Sequence, residues 1–238
     1  MDNRPVGVFD SGLGGLTAAR KIRSILPSED IIYFGDTSRV PYGGRSREIL
    51  LKYARQDVRF LRSFDIKAIV VACGTVSTTC LPQLQAENDL PVLGVVEPAC
   101  RRAVAVSKTR HVGLIATAAS VRSGTYEQII HALDPDVTVT ARACPLFVPL
   151  VENGFLGEDD PIPRLTAERY LAPLMEAGVD VLILGCTHYP LLEPVIRRVM
   201  GEGVTLIDSG RETALECRRF LLAHDMAAPH GAAGERRF

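Results

Sequence analysis

The sequence has no apolar run long enough to cross a membrane. It has no long run of like charges, and its 27 basic side chains nearly cancel its 28 acidic ones. The first absence excludes a membrane-spanning helix. The others speak against a nucleic-acid or anionic-membrane partner, since both need a basic surface. The opening residues Met1-Asp2-Asn3-Arg4-Pro5 lead straight into a strand-like run, without the apolar segment of a secretory signal. A cytoplasmic location is therefore expected. No Cys-x-x-Cys pair occurs among the cysteines at 73, 80, 100, 144, 186 and 217, so the common redox and structural-zinc spacings are missing. In a reducing compartment these six are expected to be free thiols.

What is present is a regular alternation. A chain of 238 residues, 47% hydrophobic, can bury a good core as one large domain or two small ones. Strand-like apolar runs fall at 5–9, 31–35, 68–72, 91–95, 111–116, 137–142, 180–185 and 204–207. Amphipathic, helix-like stretches lie near 15–26, 46–63, 76–87, 97–107, 122–132, 162–177, 190–200 and 210–223. Strands alternating with helices of this length predict βαβ units and mostly parallel sheets. Eight units also fit a closed barrel, but their spacing is uneven and the chain echoes itself. Val6-Gly7-Val8-Phe9-Asp10-Ser11 resembles Val112-Gly113-Leu114-Ile115-Ala116-Thr117, and each half later reaches a strand ending in Cys. The expected architecture is α/β: two similar doubly wound domains with an interdomain active-site cleft. Residues 1–95 plus 208–238 form the first domain and 96–207 the second. The Ala-, Gly- and Arg-rich tail 224–238 is expected to fray.

Cys73 follows Ala-Ile-Val-Val-Ala and precedes Gly74-Thr75; Cys186 follows Val-Leu-Ile-Leu-Gly and precedes Thr187-His188. Each reads as a thiol at the carboxyl end of a buried strand, where open α/β sheets place their chemistry. A lone strand-end Cys is more often buried filler than a nucleophile. Two in matching settings, each ahead of a helix whose N-terminus would favour the thiolate, are harder to dismiss. Two thiols on opposite sides of one pocket suit a reaction that removes a proton from one face and returns it on the other. His188 can hold or relay a proton near neutral pH. Cys80, Cys100, Cys144 and Cys217 read as core filler.

The remaining candidates are weaker alone. In Asp10-Ser11-Gly12-Leu13-Gly14-Gly15, glycines allow tight turns and leave amides free to meet a carboxylate or phosphate. A tight turn with Asp10 or Ser11 capping a helix explains it equally well. It is not a dinucleotide fingerprint, because residue 17 is Thr. The loop holding Pro41-Tyr42-Gly43-Gly44 can carry function, with the Tyr42 phenol closing over a ligand, or be a surface turn. Glu152 reads as a helix-end charge. Cys-x-His at 186–188 invites a metal, yet His111, His131, His224 and His230 supply no companion pair, so no metal is expected. A cysteine hydrolase built on Cys186 and His188 would place base and nucleophile too close in sequence.

Taken together, these segments resemble the glutamate racemases of the aspartate/glutamate racemase superfamily. The matching pieces are Phe9-Asp-Ser-Gly-Leu-Gly-Gly15, Tyr33-Phe-Gly-Asp-Thr37, Pro41-Tyr-Gly43, Ala72-Cys73, Gly94-Val-Val-Glu-Pro98, Cys144-Pro-Leu-Phe-Val-Pro-Leu-Val-Glu152, Gly185-Cys-Thr-His-Tyr-Pro190 and Ile207-Asp-Ser209. They run in order over nearly the whole chain. The resemblance implies a cofactor-independent enzyme that interconverts L- and D-glutamate, the latter a bacterial peptidoglycan building block. Cys73 and Cys186 then match the catalytic thiols, the first serving D-glutamate and the second L-glutamate. Asp10 matches the group assisting Cys73, and His188 with Glu152 those beside Cys186. Ser11, Tyr42, Gly43, Thr75 and Thr187 match positions that bind the substrate's carboxylates and ammonium. Members are often dimeric, so a homodimer is expected. Gly74 departs from the pattern: the family usually has Asn there, and the loss of that amide bears on substrate affinity. Ser120 stands where Thr is common. Rival readings are a racemase of aspartate or another small acid, and a non-catalytic carboxylate-binding module.

Overall fold

Unbroken apolar runs become parallel strands, because a strand covered on both faces has no solvent side to make polar. The computed structural model describes residues 1–229 and 234–237. The chain forms two compact units, Met1–Val95 with Gly210–Phe238, and Val96–Ser209.

In the first unit β1 (Val6–Asp10), β2 (Ile31–Gly35), β3 (Ala68–Val71) and β4 (Val92–Gly94) are joined by α1 (Leu16–Ile25), α2 (Arg47–Leu61), and the pair α3 (Gly74–Thr79) and α4 (Leu81–Glu87). The strand order is β4-β3-β1-β2, all parallel. Side chains alternate between two cores. Phe9, Ile69 and Val71 meet Leu50, Ala54 and Val58 of α2; Val6, Val8 and Val70 meet Ala18 and Ile22 of α1. That alternation is what a sheet with helices on both faces requires.

The second unit begins with α5 (Val96–Val106). Then β5 (His111–Ala116), α6 (Ala118–Ser123), α7 (Thr125–Leu133), β6 (Thr138–Ala143), α8 (Phe147–Glu152), α9 (Pro161–Glu176) and β7 (Val181–Leu184) follow. A 3-10 turn (Tyr189–Leu192), α10 (Glu193–Met200) and β8 (Thr205–Asp208) complete it. Its order, β6-β5-β7-β8, is again all parallel. Leu182 and Leu184 pack with Leu171 and Leu174 of α9 and Ile196 of α10, while α5 covers β7 and β8 from the other side. Read from the opposite end this is β8-β7-β5-β6, the same winding as β4-β3-β1-β2. The weak repeat in the sequence is thus a repeat of topology, and β3 and β7 are corresponding strands.

Both sheets reverse direction at the same place. The connection after β1 leads to one side and that after β3 to the other; β5 and β7 do likewise. The carboxyl ends of such strand pairs form the crevice in which doubly wound sheets bind ligands. Cys73 lies just beyond β3 and Cys186 just beyond β7.

Three expectations need correction. The stretch 76–87 is two helices, α3 and α4, because Cys80 leaves helical geometry and Pro82 starts a new first turn. The stretch 122–132 is also interrupted: Gly124 takes a left-handed φ of 66° to end α6 and start α7. The tail does not fray where it is described. After α11 (Ser209–Ala223), the short β9 (Arg236–Arg237) pairs in parallel with β2. The Ala228 amide donates to Glu29 Oε1 at 2.7 Å, and Ile31 donates to the Glu235 carbonyl at 2.9 Å. Residues 230–233 and 238 lie outside the described residues. Among the described residues no helix is long and apolar enough to cross a membrane.

Candidate active site

Asp10 ends β1 with its side chain completely buried. Its Oδ2 accepts from the amides of Gly12 at 3.1 Å and Gly15 at 2.9 Å. The 10–15 turn is thereby wound around a carboxylate. Gly15 is required for steric reasons: a Cβ there would lie 2.3 Å from the Asp10 Cβ. The Tyr33 hydroxyl donates to the Gly12 carbonyl at 2.5 Å and fastens the turn to β2. Burial, then the Asp10 and Cys73 charges, keep Tyr33 a neutral phenol.

Cys73 caps the N-terminus of α3 and is buried. Its Sγ lies 3.6 Å from the Ser11 hydroxyl. Thr75 is buried in the first turn of α3 beside it. The thiolate expected from the helix N-terminus is not the resting state. Burial first, and the Asp10 carboxylate second, push the Cys73 thiol up to about 12, against the Val76 amide and the Ser11 hydroxyl and amide. A six-residue helix offers too little dipole to overcome burial beside an anion.

In the second unit, Cys186 is half-buried. Its Sγ lies 3.8 Å from His188 Nδ1, and His188 Nε2 lies 3.2 Å from Glu152 Oε1. His188 is buried while the Glu152 side chain is 44% exposed. The thiol, imidazole and carboxylate form a chain along which a proton can pass, with its far end open to water. Glu152 is the last residue of α8, and an aromatic cluster holds that helix in place. Phe147 sits edge-on to Tyr189 and Tyr170, each with ring centroids 5.3 Å apart. The buried Tyr189 hydroxyl donates to the Cys144 carbonyl at 2.9 Å. Tyr189 stood in the Cys-Thr-His-Tyr stretch but drew no role from sequence; its place directly after His188 was the signal. Thr187 is half-buried between the thiol and the imidazole in sequence.

Tyr42 differs from both readings of its loop. Its side chain is buried, and its hydroxyl donates to Asp36 and contacts Asp57 Oδ2 at 3.1 Å. The phenol is committed to carboxylates of its own unit, so what residues 42 and 43 can offer a ligand is backbone. Cys80, Cys100, Cys144 and Cys217 are buried, as core thiols should be. Burial pushes Cys144 and Cys217 up to about 12. Among the described residues no group of three His, Cys, Asp or Glu side chains is placed to hold a metal ion.

The family described as Asp/Glu/hydantoin racemase matches residues 19–217. A glutamate racemase of Geobacter metallireducens is 47% identical over 238 residues, 100% of this chain and 87% of that protein. Among solved structures, the glutamate racemase isoform RacE1 of Bacillus anthracis superposes with a TM-score of 0.96 at 41% identity, covering 100% of this chain and 88% of that one. A glutamate racemase of Francisella tularensis, solved with D-glutamate, gives a TM-score of 0.91 at 38% identity and the same coverage.

Proposed function

The chain belongs to the Asp/Glu/hydantoin racemase family, and within it we propose that this protein interconverts L- and D-glutamate with Cys73 and Cys186 as its two proton-transfer groups. One observation carries the reading: a thiol stands at the same corner of two identically wound sheets, each with a second proton-active group beside it. The substrate is supported by the relatives, among them a glutamate racemase 47% identical over the whole chain and one solved with D-glutamate.

One thiolate takes the α-proton while the other thiol delivers a proton to the opposite face; the reverse reaction exchanges the roles. Cys73 serves D-glutamate with Asp10 as its helper. Cys186 serves L-glutamate, passing its proton to His188, whose ring N–H is held by Glu152. Ser11, Tyr42, Gly43, Gly74, Thr75 and Thr187 hold the carboxylates and ammonium, with Tyr42 acting through its backbone. A Cys73 thiol pushed up to about 12 is a strong base once ionised but is almost never ionised in the empty site. The substrate ammonium supplies the positive charge that makes the thiolate affordable beside Asp10. Acid–base transfer contributes about 10²–10⁴-fold. Amides of the 10–15 turn and of the start of α3 other than those donated to Asp10 and Cys73 stabilise the developing carbanion.

The reading includes independence of any cofactor, D-glutamate supply for peptidoglycan, a cytoplasmic location and a homodimeric assembly, the last checked by light scattering. The decisive test uses reduced protein without pyridoxal phosphate. Circular dichroism of either glutamate enantiomer should decay to zero, and a signal that persists overturns the proposal. Faster decay with aspartate than with glutamate overturns the substrate. Gly74→Asn, which restores the amide usual in the family, should lower KM for glutamate.

A further inference from the structure

Helix α2 carries a buried carboxylate that the proposed substrate contacts leave unused. Asp57 is 1% exposed. Its Oδ1 accepts from Arg39 Nη2 at 2.8 Å and its Oδ2 lies 3.1 Å from the Tyr42 hydroxyl. Asp36, also buried, takes the same two partners: the Tyr42 hydroxyl donates to its Oδ2, and Arg39 Nε lies 2.5 Å from that oxygen. Ser38 donates to Asp36 Oδ1 at 3.2 Å. Arg39 also donates to Gln56 and stacks 4.3 Å from the Tyr53 ring centroid, both on α2. The polar side chains Ser38, Arg39 and Tyr42 of the loop thus converge on two carboxylates, and Asp57 is the one supplied by a regular helix.

The loop in turn touches the 10–15 turn. The Asp36 amide donates to the Asp10 carbonyl at 3.0 Å. Val40 Cγ1 lies 3.0 Å from where a Cβ on Gly12 would sit. Fixing the loop therefore fixes a neighbour of the turn that holds Asp10.

A phenol has one proton, so Tyr42 donates to one carboxylate. Its contact with the other is satisfied when that carboxylate is itself protonated and donates back. Burial and then the Asp36 charge push Asp57 up to about 7, with Arg39 and Tyr42 pulling down and Asp10 on β1 adding to the rise.

We propose that Asp57 is a positioning residue: bridging Tyr42 and Arg39 together with Asp36, it holds residues 36–43 against the 10–15 turn in the form that receives substrate. The inference rests on the racemase reading above. Asn keeps a donor and an acceptor at this place and should stand in for protonated Asp57; Ala should not.

The test compares wild type, Asp57→Ala and Asp57→Asn at pH 6.5, by racemisation kinetics and by hydrogen exchange of amides 36–43. Asp57→Ala should raise KM for glutamate about tenfold while kcat changes less than about threefold, the mark of lost uniform binding. Exchange over 36–43 should quicken in this variant and stay unchanged in β5 and β7. Asp57→Asn should restore both readouts. A folded Asp57→Ala with wild-type KM and exchange overturns the proposal, as does an Asn variant no better than Ala. If Asp57→Ala does not fold, Tyr42→Phe removes only the shared hydroxyl; it should raise KM and quicken exchange over 36–43, and no change overturns the proposal. A wild type that leaves glutamate unchanged sinks the racemase reading, and the exchange data then decide the role of Asp57.

Discussion

Cys73 and Cys186 occupy corresponding corners of two sheets wound alike, yet their surroundings differ in kind. The first thiol is buried beside a fully buried carboxylate that is held by main-chain amides. The second is half-buried beside an imidazole whose carboxylate partner is partly in water. At the end of β5, where the first unit has Asp10, the second has Ala116. The side chains in contact beside its thiol come instead from two residues past it and from the end of α8. Topology therefore repeated the place of the thiol and left the groups beside it free to differ. A sealed carboxylate cannot move a proton to solvent, whereas an imidazole–carboxylate chain can.

Removing either thiol tests this contrast most severely. Cys73→Ser and Cys186→Ser should each lower racemisation by about 10³-fold or more, within the range of acid–base catalysis, with glutamate binding kept. Full activity in either variant breaks the symmetry of roles. A smaller but direct measure is alkylation at pH 8 read by peptide mass. Cys186 should be modified first, and Cys73 at least about tenfold more slowly, because only thiolate reacts and burial beside Asp10 suppresses it. Raising the pH toward 12 should close the gap.

The sealed half should be brittle and the open half tolerant. Gly15→Ala drives a methyl into Asp10 and should destabilise the protein by about 1–3 kcal/mol in thermal or denaturant melts. Glu152→Gln should change stability by no more than about 0.5 kcal/mol and lower turnover about tenfold, the scale of one partly screened charge-assisted bond. A pH-dependent effect also lies within the sealed half. Asp57 ionises near 3.8 when unfolded and at about 7 when folded. Its folded pKa is raised, so the native state holds the proton longer and stability falls as pH climbs from about 4 to 7, then levels. Asp57→Asn lacks that slope, and its melting temperature relative to wild type should rise over the same window.

Much of the fold was legible because its strands are buried on both faces. Ala68–Val71 and Val181–Leu184 are apolar without interruption, as strands covered on both faces are. The helix breaks at Cys80 and Gly124 carried signals too, in Pro82 and in a glycine after Ser123, which amphipathic periodicity hid. β9 had no such signal, since it joins the sheet through main-chain bonds to β2 and needs no side-chain pattern. Of the candidate site, the two strand-end thiols were legible in local sequence alone. Glu152 was not, because its contact with His188 depends on Phe147 packing against Tyr189 at long range.

Local pattern alone determined that Cys73 and Cys186 end buried strands, since burial of an apolar run is written into consecutive residues. Tertiary structure decided which strands lie side by side, and so which groups attend each thiol. It also decided the protonation of Cys73, because the charge a thiol can bear depends on water excluded and carboxylates brought near by residues distant in the chain. Asp10 lowers the chance that Cys73 is a thiolate, against what the following helix promised, because burial beside an anion outweighs the dipole of six residues.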